Sequence, residues 1–279
     1  TGYVVSADPT SVTTVNSVTV ANADSVGSVG GKVAGGGDDS NTKLLLNFDR
    51  GGGTDIEDSS NTNDTGHNVS TISDAIIKSS PFGDGKSAMY FDGTDDYFTI
   101  APSSDFVWET NDFTIEFWVN VSSLSSITFL WNRGRGAGVA DESMTIDTTG
   151  RVEYGQWTGS SRIIGLKSND GSIKVGVWHH CAICYDHSAT NKWKLFVDGQ
   201  DQTNLNGGAL TNSNYVTSAN WGATGNTHNS GTIRWGKNEG SVYGESHYFD
   251  ELRVVNGTAV YTGDFDVPTS RLTAITNTK

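Results

Sequence analysis

Trp157 lies between Gly-rich polar stretches together with Arg133, Arg135 and Arg162. A flat indole packs against the C–H faces of sugar rings, and planar guanidinium groups satisfy hydroxyls at their edges, so these four residues are candidates for a carbohydrate-recognition rim. Other reactive residue types are placed where chemistry is harder. Cys181 and Cys184 are three positions apart within an apolar run. If that run is a strand, the two thiols face opposite sides and neither bridge nor clamp one ion, which makes them small buried hydrophobes. His179 and His180 divide between the two faces of the same strand and are read as structural. Gly134-Arg-Gly-Ala-Gly138 resembles half of a dinucleotide loop, but no helical pattern follows it. Nucleophile elbow, phosphate loop and His-Glu-x-x-His helix are all missing from the sequence.

Strands must position these groups. Phe113, Ile115, Phe117 and Val119 alternate with Thr114, Glu116, Trp118 and Asn120, a period of two that excludes a helix. Asp92-Gly93, Asp198-Gly199 and Asn256-Gly257 supply the positive φ angles of tight hairpins, and Thr149-Gly150 and Asp170-Gly171 mark further reversals. With 34 glycines, 4 prolines and strands rich in aromatic and β-branched residues, an all-β sandwich of two antiparallel sheets is expected.

Bulk properties bound the rest. A chain of 279 residues buries a full core, and one large domain with an appendage is expected. Thirty-two acidic residues against 18 basic ones leave a net charge of −14, which repels nucleic acid and anionic membrane. No apolar run approaches the ~18 residues that cross a bilayer, and the amino terminus lacks a basic segment followed by a hydrophobic one. A soluble or assembled protein is therefore expected. Thr1 in place of an initiator methionine implies trimming or a numbering that starts after processing.

Residues 1–42 contain no Phe, Trp, Leu or Ile and end in the linker Gly30-Gly-Lys-Val-Ala-Gly-Gly-Gly-Asp-Asp39. Such a segment cannot offset its ordering entropy alone. Val12, Val15, Val18, Val26 and Val29 recur at a spacing that fits neither strand nor helix. The segment is expected to be an extended arm captured by neighbouring subunits in a homo-oligomeric or multi-copy assembly. A domain over 43–273 and a tail over 274–279 complete the division.

The run Leu44-Leu-Leu-Asn-Phe-Asp49 with Asp58-Ser-Ser-Asn61, the Phe91-Asp-Gly-Thr-Asp-Asp-Tyr97 hairpin, the Phe113–Val119 strand, Trp178-His-His180, Leu195-Phe-Val-Asp-Gly199 and Phe249-Asp-Glu-Leu-Arg-Val254 follow in order. Together they resemble the laminin-G-like, concanavalin A-like jelly roll. That resemblance implies a structural calcium ion where the first and last strands meet, carried over to Asp49, Asp58 and Asp250. It also raises glucan hydrolysis, which needs two carboxylates about 5–5.5 Å apart for retention. In that superfamily a strand supplies them as Glu-x-Asp-x-x-Glu, but this chain contains no Glu-x-Asp. Adjacent Asp250 and Glu251 would face opposite sides of a strand, so no enzyme is expected.

The closing run Asp250–Phe265 is similar to the form of this domain in structural proteins of tailed, particularly marine, bacteriophages. What this resemblance implies is a non-enzymatic virion protein, a capsid decoration or a tail or fibre component at the virion surface, with other virion subunits as partners through residues 1–42. The alternative is a carbohydrate-binding or adhesin module on a bacterial surface. Either places cell-surface polysaccharide within reach of the Trp157 rim.

Overall fold

The structure is a computed structural model and describes residues 41–48, 56–60, 66–73, 76–79, 87–108, 111–136, 139–158, 161–205, 231–238, 240 and 242–275. The chain divides into two units, Thr1–Ala34 and Gly35–Lys279. The first, with Val12, Val15, Val18, Val26 and Val29 of the expected arm, lies outside the described residues.

Two antiparallel sheets form the second unit. The front sheet runs β13 (Gln200–Asp201), β12 (Trp193–Val197), β11 (His179–Tyr185), β6 (Phe113–Val121), β16 (His247–Asn256), β4 (Ser87–Phe91) and β3 (Ile76–Ser79), with β1 (Thr42–Leu46) also paired to β16. The back sheet runs β14 (Asn204–Leu205), β10 (Ser161–Lys167), β9 (Val152–Thr158), β8 (Val139–Ile146), β7 (Thr128–Gly136), β15 (Thr232–Trp235), β5 (Tyr97–Ile100) and β2 (Val69–Ile72). Neighbours distant in sequence, such as β6 beside β16, give the jelly-roll sandwich that the alternating pattern predicts. Among the described residues one 3-10 turn, Ser104–Phe106, is the sole helical element. No helix there is long and apolar enough to cross a membrane.

Alternation builds the core. Phe113, Ile115, Phe117, Val119 and Val121 of β6 all join the inter-sheet cluster, and across the register Cys181, Ile183 and Tyr185 of β11 do the same. Removing these side chains from water supplies the sandwich's main driving force. Trp131, Trp193 and Trp235 are interior, with Trp235 ring centroids 5.1 Å from Trp131 and 4.7 Å from Phe249. Asp198 and Gly199, at φ 52° and 75°, make the two-residue turn between β12 and β13 that their dipeptide predicts. Gly93, Gly150 and Gly171 also have positive φ. Asn256-Gly257 departs from the hairpin expectation: Gly257 has φ 115°, but the chain leaves the sheet there instead of folding back as a strand.

The segment that follows, residues 258–275, crosses the outer face of the front sheet as a strap. Ala259, Tyr261 and Phe265 pack on Ala182, Cys184 and Phe196, a second small core separate from the first. Tyr261 and Phe265 stack with centroids 3.6 Å apart. Polar anchors fix its path. Thr114 Oγ1 accepts from the Val260 amide at 2.9 Å, Glu251 Oε2 accepts from the Leu272 amide at 2.6 Å, and Arg253 donates to the Thr273 carbonyl at 2.7 Å. Cys181 therefore belongs to the main core and Cys184 to the layer beneath the strap, on opposite faces of β11 as the spacing requires; both are free thiols.

Candidate carbohydrate-binding surface

Trp157 projects from the outer face of the back sheet, because Val152 and Tyr154 of the same strand face the core. Its indole leans back over Gly155; a Cβ added there would sit 2.5 Å from the ring. The absence of a side chain at Gly155 lets the ring lie down. Arg162 is its cross-strand partner on β10, and the guanidinium carbon lies 5.0 Å from the indole centroid. Both side chains are half-buried. The pair combines an aromatic surface with planar donors, a combination suited to a polyhydroxylated ligand.

The structure does not bring Arg133 to that surface. It is 1 % exposed, faces the sandwich interior and forms an ion pair at 2.7 Å with Glu142, which has no exposed surface. Burial of a guanidinium is tolerated here because the carboxylate is saturated. Glu142 also accepts from Trp108 Nε1 at 3.0 Å, from Trp131 Nε1 at 3.1 Å and from the Tyr154 hydroxyl. Burial, then the neighbouring Glu142 charge, pushes the Tyr154 phenol well above its ordinary range. The expectation for Arg133 on a rim is thus corrected: proximity to a polar, Gly-rich stretch did not reveal that β7 turns this position inward. Arg135 lies on β7, and its side chain is outside the described residues.

A second buried carboxylate sits beneath the strap. Glu116 Oε1 accepts from Arg253 Nε and Nη2 at 2.8 and 2.6 Å, and Oε2 accepts from the Tyr261 hydroxyl at 2.7 Å and lies 3.2 Å from His180 Nε2. Burial alone would raise this carboxyl, but Arg253, His180 and Tyr261 outweigh it and hold it below the usual carboxylate range. His179, on the other face, contacts Asp198 through Nδ1 at 2.7 Å and accepts the Lys174 amide at Nε2 at 3.0 Å. Both histidines are structural. The four-donor shells of Glu116 and Glu142 were not evident from sequence: that of Glu116 draws on β11, β16 and the strap, far apart in the chain, and that of Glu142 depends on the pairing of β7, β8 and β9.

Of the calcium ligands implied by resemblance, Asp58 and Asp250 lie among the described residues. Asp58 Oδ1 accepts from the Leu45 and Ser60 amides at 3.0 and 2.9 Å, and Oδ2 accepts from the His67 amide at 2.6 Å. These three N–H groups tie β1 to its loop. Asp250 is 1 % exposed and accepts the Glu251 amide at 2.8 Å. Asp49 lies outside the described residues. A bulge with Glu251 at φ 52° interrupts the alternation expected for Asp250 and Glu251. Among the described residues, Asp92, Asp95 and Asp96 bring carboxylate oxygens within 4.8 Å of one another, at the turn between β4 and β5.

The half of the front sheet beyond the strap carries a row of large side chains from four neighbouring positions. Tyr248 on β16 is paired with Tyr90 on β4 and with Asn120 on β6, and continuation of the His179–Val119 register sets Trp178 opposite Asn120. Tyr90 and Tyr248 centroids are 4.9 Å apart, and Trp178 and Tyr248 are 6.4 Å apart. Trp118, one outward position further along β6, pairs with Asp250. The four aromatics are half-buried.

Comparison with known proteins agrees with this architecture. Residues 92–259, more than half of the chain, match the laminin-G-type family model described as the Concanavalin A-like lectin/glucanases superfamily. No curated protein matches the sequence. Among solved structures, the chain is similar to the binding domain of botulinum neurotoxin serotype D, with 11 % identity, TM-score 0.53, and 77 % of this chain and 48 % of that one covered. It is also similar to a botulinum neurotoxin type C structure whose cell entry depends on two ganglioside molecules, with 11 % identity, TM-score 0.51, and coverage of 81 % and 49 %. Domain 4 of the arabinanase AbnA from Geobacillus stearothermophilus, in complex with arabinotriose, matches with 16 % identity, TM-score 0.50, and coverage of 80 % and 96 %. The chain thus spans about half the length of the neurotoxin chains it matches. With two antiparallel sheets in jelly-roll order and more than half of its sequence in agreement, the chain belongs to the concanavalin A-like lectin/glucanase superfamily as a laminin-G-like domain.

Proposed function

We propose that this chain is a non-enzymatic recognition domain that binds carbohydrate on its outer surface. The observation that carries the reading is the Trp157–Arg162 pair, an indole and a guanidinium 5.0 Å apart on the outside of a sheet. The arabinotriose and ganglioside named with the similar structures support a saccharide as the ligand class. The absence of catalysis is supported by Glu116 and Glu142, whose oxygens are occupied by donors and sealed from substrate. Display in many copies through residues 1–42, on a virion or bacterial surface, is the second part of the proposal. It draws on the composition of that segment and on the resemblance of Asp250–Phe265 to phage structural proteins. A glycan array tests the first part: saturable binding lost in Trp157→Ala supports it, and unchanged binding in that variant contradicts the site.

A further inference from the structure

The half of the front sheet not covered by the strap carries its own ligand signature. Trp178, Asn120, Tyr248 and Tyr90 form a row perpendicular to the strands, crossing four strand positions, about 14 Å at ~4.8 Å per strand. Trp118 and Asp250 lie one outward row away. Tyr248 contacts the rings on both sides, at 4.9 and 6.4 Å, and so bridges over Asn120.

Asn120 separates this row from ordinary aromatic packing. Its side chain is only 8 % exposed, yet among the described residues its carboxamide has no protein hydrogen-bond partner, and neither does the Tyr248 hydroxyl. Neither amide atom is among the buried side-chain atoms that lack a partner, so the amide reaches the surface between the two aromatic rings and is open to a group from outside. An amide offers both donor and acceptor, and a sugar hydroxyl is complementary to both.

We infer that the Trp178–Asn120–Tyr248–Tyr90 row is a second carbohydrate site, taking a neutral oligosaccharide chain laid across the strands. Sugar C–H faces stack on the indole and phenol rings, and hydroxyls pair with the Asn120 amide and the Tyr248 hydroxyl. Neutrality follows from charge: Asp250 adjoins the row and the chain carries −14, so an anionic glycan is repelled. The row's length suits several linked sugars and exceeds what one ring needs. The inference rests on the domain being a glycan binder, but on residues of the sheet opposite to Trp157.

The test is an array of neutral gluco-, galacto-, manno- and arabino-oligosaccharides, followed by titration of the wild-type chain and of the Asn120→Ala, Tyr248→Ala and Trp157→Ala variants. The expected result is at least one neutral oligosaccharide bound about tenfold more weakly by Asn120→Ala and Tyr248→Ala but equally well by Trp157→Ala, beside other glycans whose binding depends on Trp157. Near-UV circular dichroism checks folding. If Tyr248→Ala unfolds, Asn120→Ala decides, because that side chain makes no protein hydrogen bond to lose. Loss confined to Trp157→Ala overturns the second site and leaves the proposed function intact; no binding by the wild-type chain overturns both.

Discussion

Glu116 keeps its charge without any exposed surface, and that choice has consequences in acid. Its carboxyl lies below the ordinary range in the folded protein, so its contribution is complete above about pH 4.3, the unfolded value, and is lost as pH falls through the folded one. His247 adds to the same trend from a higher pH. Burial, only partly opposed by its hydrogen bond to the Glu245 carbonyl, depresses it to about 4, so unfolding takes up a proton between about pH 6.5 and 4. Stability measured by urea denaturation should fall by roughly 3 kcal/mol over that window from His247 alone, and replacing His247 by Gln should flatten it. Gly199 offers a steric prediction. At φ 75° with a would-be Cβ 2.0 Å from the Phe265 carbonyl oxygen, Gly199→Ala should cost about 2–3 kcal/mol and lower the melting temperature. The Asp198-Gly199 turn was legible from two letters. The inward turn of Arg133 was not, because the partner that neutralises it, Glu142, is defined only once β7 and β8 are paired.

At the scale of elements, alternation in β6 and β11 named the core face correctly, since a period of two has only one way to bury Phe, Ile and Val. The strap escaped the same logic. Residues 258–275 have no periodicity, and their three anchoring apolar side chains, Ala259, Tyr261 and Phe265, meet a sheet face formed by β11 and β12. The aromatic row escaped for a related reason: Tyr90, Asn120, Trp178 and Tyr248 are scattered over 159 positions of sequence, from 90 to 248, and meet only through register. A thiol assay tests the strap. Burial pushes the Cys184 thiol up to about 12 and Cys181 well above its usual range, so neither should react with a disulfide reagent in the folded protein. The Tyr261→Ala, Phe265→Ala double variant should expose Cys184 while Cys181 stays protected in the main core; equal reactivity of both would show global unfolding instead.

The whole molecule joins an acidic sandwich to an amino-terminal segment of very different composition. Because Thr42 opens β1, the deletion that spares the sandwich is residues 1–34: it should leave a folded domain with unchanged glycan binding but no incorporation into particles or assemblies, measured by sedimentation, and retained incorporation would reject the division of labour. Fold and family were legible here because motif order follows strand order. The proposed ligand surface was partly legible as a juxtaposition, since Trp157 and Arg162 are direct cross-strand partners while the front-sheet row depends on four strands. The most direct test of the account is titration of the wild-type chain and Trp157→Ala with the best ligand from a glycan array. The account predicts saturable binding by the wild-type chain that weakens by about tenfold or more when the indole is removed. A wild-type chain that binds no glycan would contradict it.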